Sequence, residues 1–262
     1  MLTLTSAQLD AWIAALVFPL ARILALTATA PVFANAGVPR RIRLLVGLAI
    51  GIAVIPSLAP PPAIAPASGA GLLVLAQQIV IGVAMGLTMR AVFAAIDVAG
   101  ELIGLQMGLS FAVFFDPQSA GESGALAEFL ALLAALIFLA LNGHLMVLAG
   151  LSASFDLLPV GPEQAPLPAF ELLVRWAAVI FTAGVLLSLP LIAALLVTNI
   201  ALGVLTRAAP QLNLFAVGFP VTMAVGFGAL LLALPLAAPV LETLFGQGLD
   251  AMQALVRAAA SR

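Results

Sequence analysis

No charged side chain interrupts the chain from Trp176 to Thr206, a run of 31 residues, or again from Ala208 to Leu241, a run of 34. As a straight helix the first would measure roughly 46 Å, against a hydrocarbon core of about 30 Å. Neither run suits one simple membrane span. Pro190 sits inside the first, and Pro220, Pro235 and Pro239 punctuate the second. Both therefore read as kinked helices or helical hairpins packed largely against other protein. The whole chain follows suit: 64% of its 262 residues are hydrophobic and 8% are charged, where a soluble domain has about 45–50% and about 25%. Most of it must meet lipid or other apolar helices. No two-residue alternation persists and no internal repeat is visible. The expected class is all-α: a polytopic membrane-type helical protein forming one domain over residues 1–262.

The same inventory excludes much chemistry. The chain has no Cys, which removes disulfides, thiolate nucleophiles and Cys-ligated metals. It has a single His, so a His-based metal site is ruled out in practice. Its eleven carboxylates are scattered, mostly at segment ends, and no Gly-rich phosphate loop precedes a charged helix. The chain is not expected to be an enzyme or to carry a cofactor or metal. All nine cations are Arg, with one cluster at Arg40, Arg41 and Arg43 and a net charge of −2, which gives nucleic-acid binding no support. The first ten residues hold no Arg and end in Asp10, so no cleavable signal peptide is expected.

Taken in order, Thr5-Ser6-Ala7-Gln8 has the pattern of a capping box opening a helix that runs towards Phe33. Arg22 lies within that apolar helix, where a cation is costly and must face protein or water. It is expected to be paired or hydrogen-bonded inside an assembly. Leu44–Leu58 is a short apolar segment, followed by a proline-rich turn from Pro56 to Pro66. Leu72–Ile96 is long enough to span, with Arg90, Asp97 and Glu101 at its polar end. Ala125–Ser152 reads as one helix carrying Asn142-Gly143-His144, with His144 a structural residue. Beyond Phe245 the pattern is a short amphipathic helix, with Leu249, Met252, Leu255 and Val256 opposite Asp250, Gln253 and Arg257.

Gly100–Gly121, GELIGLQMGLSFAVFFDPQSAG, fits neither neighbour. Gly100, Gly104 and Gly108 make a side-chain-free stripe on a helix, inviting close packing while weakening the helix by about 1 kcal/mol each. Met107, Phe111, Phe114 and Phe115 follow, and Asp116-Pro117 ends the run. A segment of Gly, Met and Phe can deform and still repel water. The same composition would equally suit a glycine-lined packing face followed by an ordinary loop.

Several motifs in fixed order carry a family resemblance. They are Pro19-Leu20-Ala21-Arg22 with Ala30-Pro31-Val32-Phe33, Val38-Pro39-Arg40-Arg41-Ile42-Arg43, and Gly100 to Phe111 with Asp116-Pro117. Asn142-Gly143-His144, Leu158-Pro159-Val160-Gly161, Arg207, and Pro210-Gln211-Leu212-Asn213 complete the set. Together they resemble the FliR/SctT family of type III secretion export gates over nearly the whole chain, with the flagellar branch nearer than the injectisome one.

That resemblance implies a non-enzymatic core subunit of a flagellar protein export gate. It would assemble with FliP and FliQ in the bacterial inner membrane, within the flagellar basal body and partly raised towards the periplasm. FlhB and FlhA would be neighbours, membrane lipid would surround it, and unfolded flagellar proteins would be its cargo. The family's plug loop falls on residues 107–122, which makes Met107, Gly108, Phe111, Phe114, Phe115, Asp116 and Pro117 the candidate gating residues. Arg22, Asn142, His144, Arg207, Pro210, Gln211 and Asn213 are the structural or assembly candidates. An injectisome subunit, a small-solute transporter built on the proline-broken helices, and a pure scaffold are the competing readings.

Overall fold

A computed structural model of the chain describes residues 5–35, 37–59, 64–109, 124–161, 167–209 and 214–260. Helices dominate them, in the order α1 (Ser6–Thr29), α2 (Arg40–Val54), α3 (Gly69–Met107), α4 (Ala125–Ala140), α5 (Gly143–Leu157), α6 (Leu167–Trp176), α7 (Val179–Ala208) and α8 (Leu214–Ala260). No strand occurs among the described residues. The all-α expectation holds.

Local sequence explains several boundaries. The Thr5 hydroxyl accepts from the Gln8 amide at 3.4 Å and the Gln8 side chain accepts from the Thr5 amide at 3.1 Å, completing the capping box. The first helix then stops at Thr29, short of Phe33, because Pro31 forces Ala30 into an extended conformation. The single helix expected over Ala125–Ser152 is two. Asn142 adopts a left-handed conformation, φ 56°, and its carbonyl accepts from Leu145 and Met146 to start α5. Asn tolerates that conformation better than most residues, and it cannot continue a right-handed helix. The two uncharged runs form helices rather than hairpins, with Pro190 inside α7 and Pro220, Pro235 and Pro239 inside α8. The tail past Phe245 is no separate short helix but the last part of the 47-residue α8. Its two faces are as expected: Leu249, Met252, Leu255 and Val256 are buried, while Asp250, Gln253 and Arg257 are exposed.

Two compact units emerge, each assembled from distant parts of the chain. One comprises Met1–Ala91, Asn142–Ala177 and Phe245–Arg262. Here α1 packs on α3 and α2 through two G-x-x-x-G pairs. A Cβ at Gly82 would overlap the Arg22 carbonyl oxygen, and one at Gly86 would lie 2.9 Å from the Ala30 nitrogen. On α2, a Cβ at Gly47 would come within 2.5 Å of a Leu24 methyl, and one at Gly51 within 2.8 Å of a Leu20 methyl. Helices approach this closely only where side chains are missing. The Trp176 indole donates to the Thr88 carbonyl at 2.9 Å, tying α6 to α3.

The other unit comprises Val92–Leu141 and Ala178–Leu244. Its core gathers Ile103, Met107, Leu126, Leu191, Leu195 and Leu230 from α3, α4, α7 and α8. Phe93 and Phe138 meet edge-to-face at 5.7 Å, adding an aromatic contact between α3 and α4.

Among the described residues, four helical stretches are long and apolar enough to cross a membrane: Gln8–Thr29, Gly69–Met107, Ala169–Ala208 and Val217–Ala260; α4 and α5, bent by 66°, would make a fifth if taken as one span. In the most apolar window of the second, 67% of residues are buried, against 22% and 17% in the last two. Surface for lipid or partner subunits lies on α7 and α8, and exposed large apolar side chains on α1, α2 and α4 add to it.

Candidate functional site

The Gly/Met/Phe segment begins where α3 ends, and that end is built with care. The helix does not yield at Gly100 or Gly104 but continues to Met107. Gly108 then adopts φ 84°. Its amide donates to the Leu105 carbonyl at 3.1 Å, and the Leu109 amide donates to the Gly104 carbonyl at 3.0 Å. This crossed pair, with glycine at the left-handed position and an apolar residue after it packed on the core, is a Schellman cap. It satisfies two helix-end carbonyls and turns the chain in a fixed direction.

Met107 is wholly buried. Its side chain lies over Gly226 of α8, where a Cβ would stand 2.7 Å from the Met107 Cγ and Cε. The Thr222 hydroxyl donates to the Met107 carbonyl at 3.4 Å. Met107 thus sits as a peg in the core of this unit, at the root of the segment. Gly108 is the turn beside it.

The far end is tied to the same helix. The Glu101 carboxylate, on α3, accepts from the Gly124 amide at 2.5 Å. Gly124 is the N-cap residue of α4, so the carboxylate meets the positive end of that helix. One turn away, Gly100 lies so near Ala127 that a Cβ would overlap its backbone. Of the three glycines in the stripe, Gly100 admits another backbone, Gly104 is buried with no described side chain or neighbouring backbone within 4 Å of a Cβ, and Gly108 supplies the cap. Glu101, Thr222, Gly226 and Gly124 were not singled out from sequence as parts of this arrangement. Phe111, Phe114, Phe115, Asp116 and Pro117 lie outside the described residues.

In the other unit, Arg22 is fully buried. Its Nε donates to the Gln78 side-chain oxygen at 2.8 Å. One terminal nitrogen donates to the Ser154 carbonyl at 2.9 Å and hydroxyl at 3.1 Å, and the other to the Leu158 carbonyl at 2.8 Å. The guanidinium carbon stands 4.2 Å from the centre of the Phe155 ring, a cation–π contact in a desolvated place. Arg22 of α1 therefore caps the C-terminal end of α5, the end that favours a cation, and binds α3 as well. The partners expected of it in an assembly are found within the chain itself. Its partners are neutral groups and a ring face, with no carboxylate among them.

The remaining candidates are less committed. His144 is half-buried, with Nδ1 shielded and without a hydrogen-bond partner among the described residues. Arg207 is exposed in the last turn of α7, where its charge suits the helix end. Pro210, Gln211 and Asn213 lie outside the described residues. No three His, Asp or Glu side chains among the described residues are placed to share a metal ion.

Long, mostly apolar helices with one buried, hydrogen-bonded Arg and a glycine-capped root for a Met/Phe segment define an all-helical membrane-type protein. Comparison with known proteins narrows this. Residues 13–248 match the model of bacterial export proteins, family 1, and the chain belongs to that family. It is 44% identical over 247 residues to the flagellar biosynthetic protein FliR of Escherichia coli K12, covering 94% of each chain. It is likewise 44% identical over 250 residues to FliR of Pectobacterium carotovorum, covering 95% of each. With FliR of Bacillus subtilis it shares 32% over 243 residues, 90% of this chain and 92% of that one. Membership of this family gives the chain a role in flagellar protein export.

Proposed function

We propose that this chain is a core subunit of the flagellar export gate, working with FliP and FliQ beside FlhB and FlhA in the inner membrane. In this reading residues 107–122 supply a water-repelling seal for a channel that passes unfolded flagellar proteins. The observation that carries it is the double attachment of that segment: the Schellman cap and Met107 peg at one end, the Glu101–Gly124 bond at the other. Fifteen residues, Leu109 to Ser123, join two points fixed on α3, and three Phe, three Ser and two Ala make up more than half of them. A seal of this kind must exclude ions at rest and yield to any passing sequence. Apolar side chains that dewet a constriction meet both demands without binding the cargo. The largely unburied α7 and α8 would then face FliP and FliQ.

The test is ion conductance of the assembled complex in planar bilayers after deletion of residues 110–115, which spares Met107, Gly108 and Leu109. The complex should still form and should leak ions at rest. Wild-type conductance in an assembled deletion complex would overturn the seal. If Phe111→Ala and Phe114→Ala instead reduce assembly and leave conductance unchanged, the cluster is packing, as a scaffold would require.

A further inference from the structure

We infer that the outer face of α2 is a docking surface for an anionic phospholipid, with Arg40 and Arg41 at the headgroup and the apolar stripe beyond them along the acyl chains. Charge is the first observation. Arg40 and Arg41 are exposed, and neither makes a hydrogen bond or ion pair among the described residues. Arg43 is engaged elsewhere: its Nε donates to the Val38 carbonyl at 3.0 Å and a terminal nitrogen to the Ala34 carbonyl at 3.5 Å, which pins the turn before α2. The first turn of α2 holds no acidic residue, and the sequence has no Asp or Glu anywhere from Ala11 to Ile96. Asp10 lies at the opposite end of α1, roughly 28 Å from Thr29 along the helix. The two cations therefore have no counter-charge near them on α2 or on the helix that α2 packs against.

Shape is the second. α2 runs antiparallel to α1, with Gly47 against Leu24 and Thr27 and Gly51 against Leu20 and Ile23. Since α1 is long and apolar enough to cross a membrane, α2 enters the bilayer beside it from the Arg end. On the side away from α1, Arg41, Leu45, Ala49 and Ile52 recur at helical spacing. All four are exposed, Leu45 by 59% and Ile52 by 76%. From Arg41 to Ile52 the helix rises roughly 16 Å, which is half of a hydrocarbon core of about 30 Å and so the depth of one leaflet. A phospholipid has the same layout: an anion at the surface, which guanidinium binds well, then apolar chains one leaflet long. A free anion would leave the stripe unused, and an uncharged lipid would leave the arginines unpaired. The inference stands whether or not residues 107–122 seal a channel.

The test places the photo-cross-linker p-benzoylphenylalanine at Leu45 or at Ile52 of the assembled complex, in nanodiscs of equal parts phosphatidylglycerol and phosphatidylcholine. After irradiation, mass spectrometry counts the adducts. Lipid adducts should form at both positions and favour phosphatidylglycerol about twenty-five-fold, because each cation near the anion is worth about fivefold, or about 1 kcal/mol. Arg40→Gln and Arg41→Gln should each lower that preference about fivefold, and together they should abolish it. Arg175→Gln, which removes an exposed arginine already paired with Glu171, should leave it unchanged. Raising the salt should weaken the wild-type preference. Adducts to another protein chain at either position overturn the proposal and assign this face to a partner subunit. Parity between the two lipids in the wild type, or a preference that survives the double substitution, overturns it as well. Should the double variant not assemble, the salt series on the wild type decides: a preference that salt does not move refutes the pairing of lipid with arginine.

Discussion

Replacing Arg22 with Met keeps an unbranched apolar stem and removes every donor. The consequence can be worked from the acceptors left behind. The Ser154 carbonyl keeps its bond from the Leu158 amide, and the Ser154 hydroxyl keeps its bond to the Leu151 carbonyl. Gln78 Oε1 and the Leu158 carbonyl lose the one partner each is seen to have. A buried acceptor without a partner costs about 1–3 kcal/mol, so the two together cost about 2–6 kcal/mol. For a chain of this size each kcal/mol lowers the unfolding midpoint by about 2–4 °C, giving a fall on the order of 10 °C. The assay is thermal unfolding of the detergent-purified protein, or of its assembly, followed by Trp fluorescence. Arg22→Lys should fare little better, because one ammonium group cannot reach both Gln78 and Leu158 in the fixed fork that guanidinium provides. Adding Gln78→Leu to Arg22→Met removes one stranded acceptor and should recover roughly half of the loss. A midpoint within 2 °C of wild type for Arg22→Met, by rough reckoning on the same scale, would refute the account.

Two glycine comparisons follow from the same packing. Gly82→Ala should lose about 2 kcal/mol or more, since its Cβ would overlap the Arg22 carbonyl, whereas Gly104→Ala meets no described atom within 4 Å and should gain up to about 1 kcal/mol of helix propensity; folded yield and unfolding midpoint separate the two. At Gly108, φ 84° should make Val cost about 1–2 kcal/mol while Asn costs less, read as faster amide exchange over the last turn of α3.

The sequence disclosed best what depends on neighbours along the chain. Thr5 and Gln8 are three residues apart and their capping box formed as expected. Pro31 ended the first helix, and the tail beyond Phe245 shows its apolar and polar faces. Asn142-Gly143 is a recognised turn dipeptide, so the break after α4 was within reach of a closer reading, as were the G-x-x-x-G pairs at Gly47/Gly51 and Gly82/Gly86. What a glycine does, however, depends on what comes near it. Gly100, Gly104 and Gly108 look alike in sequence and do three different things, because Ala127 approaches only one of them and α3 ends at another. The need for partners at Arg22 was plain from its apolar setting. Their identity was hidden, since Gln78, Ser154 and Leu158 lie 56, 132 and 136 residues away.

Those separations bear on how the chain is made. At about 5–20 residues per second, roughly 7 to 27 seconds pass between synthesis of Arg22 and synthesis of Leu158. Through that interval the first helix reaches the bilayer with a cation that has nothing of its own to hold. It must wait at the interface, recruit water, or be sheltered by the insertion machinery. The N-terminal helix should therefore settle long after its own synthesis, locked only when the middle of the chain has emerged.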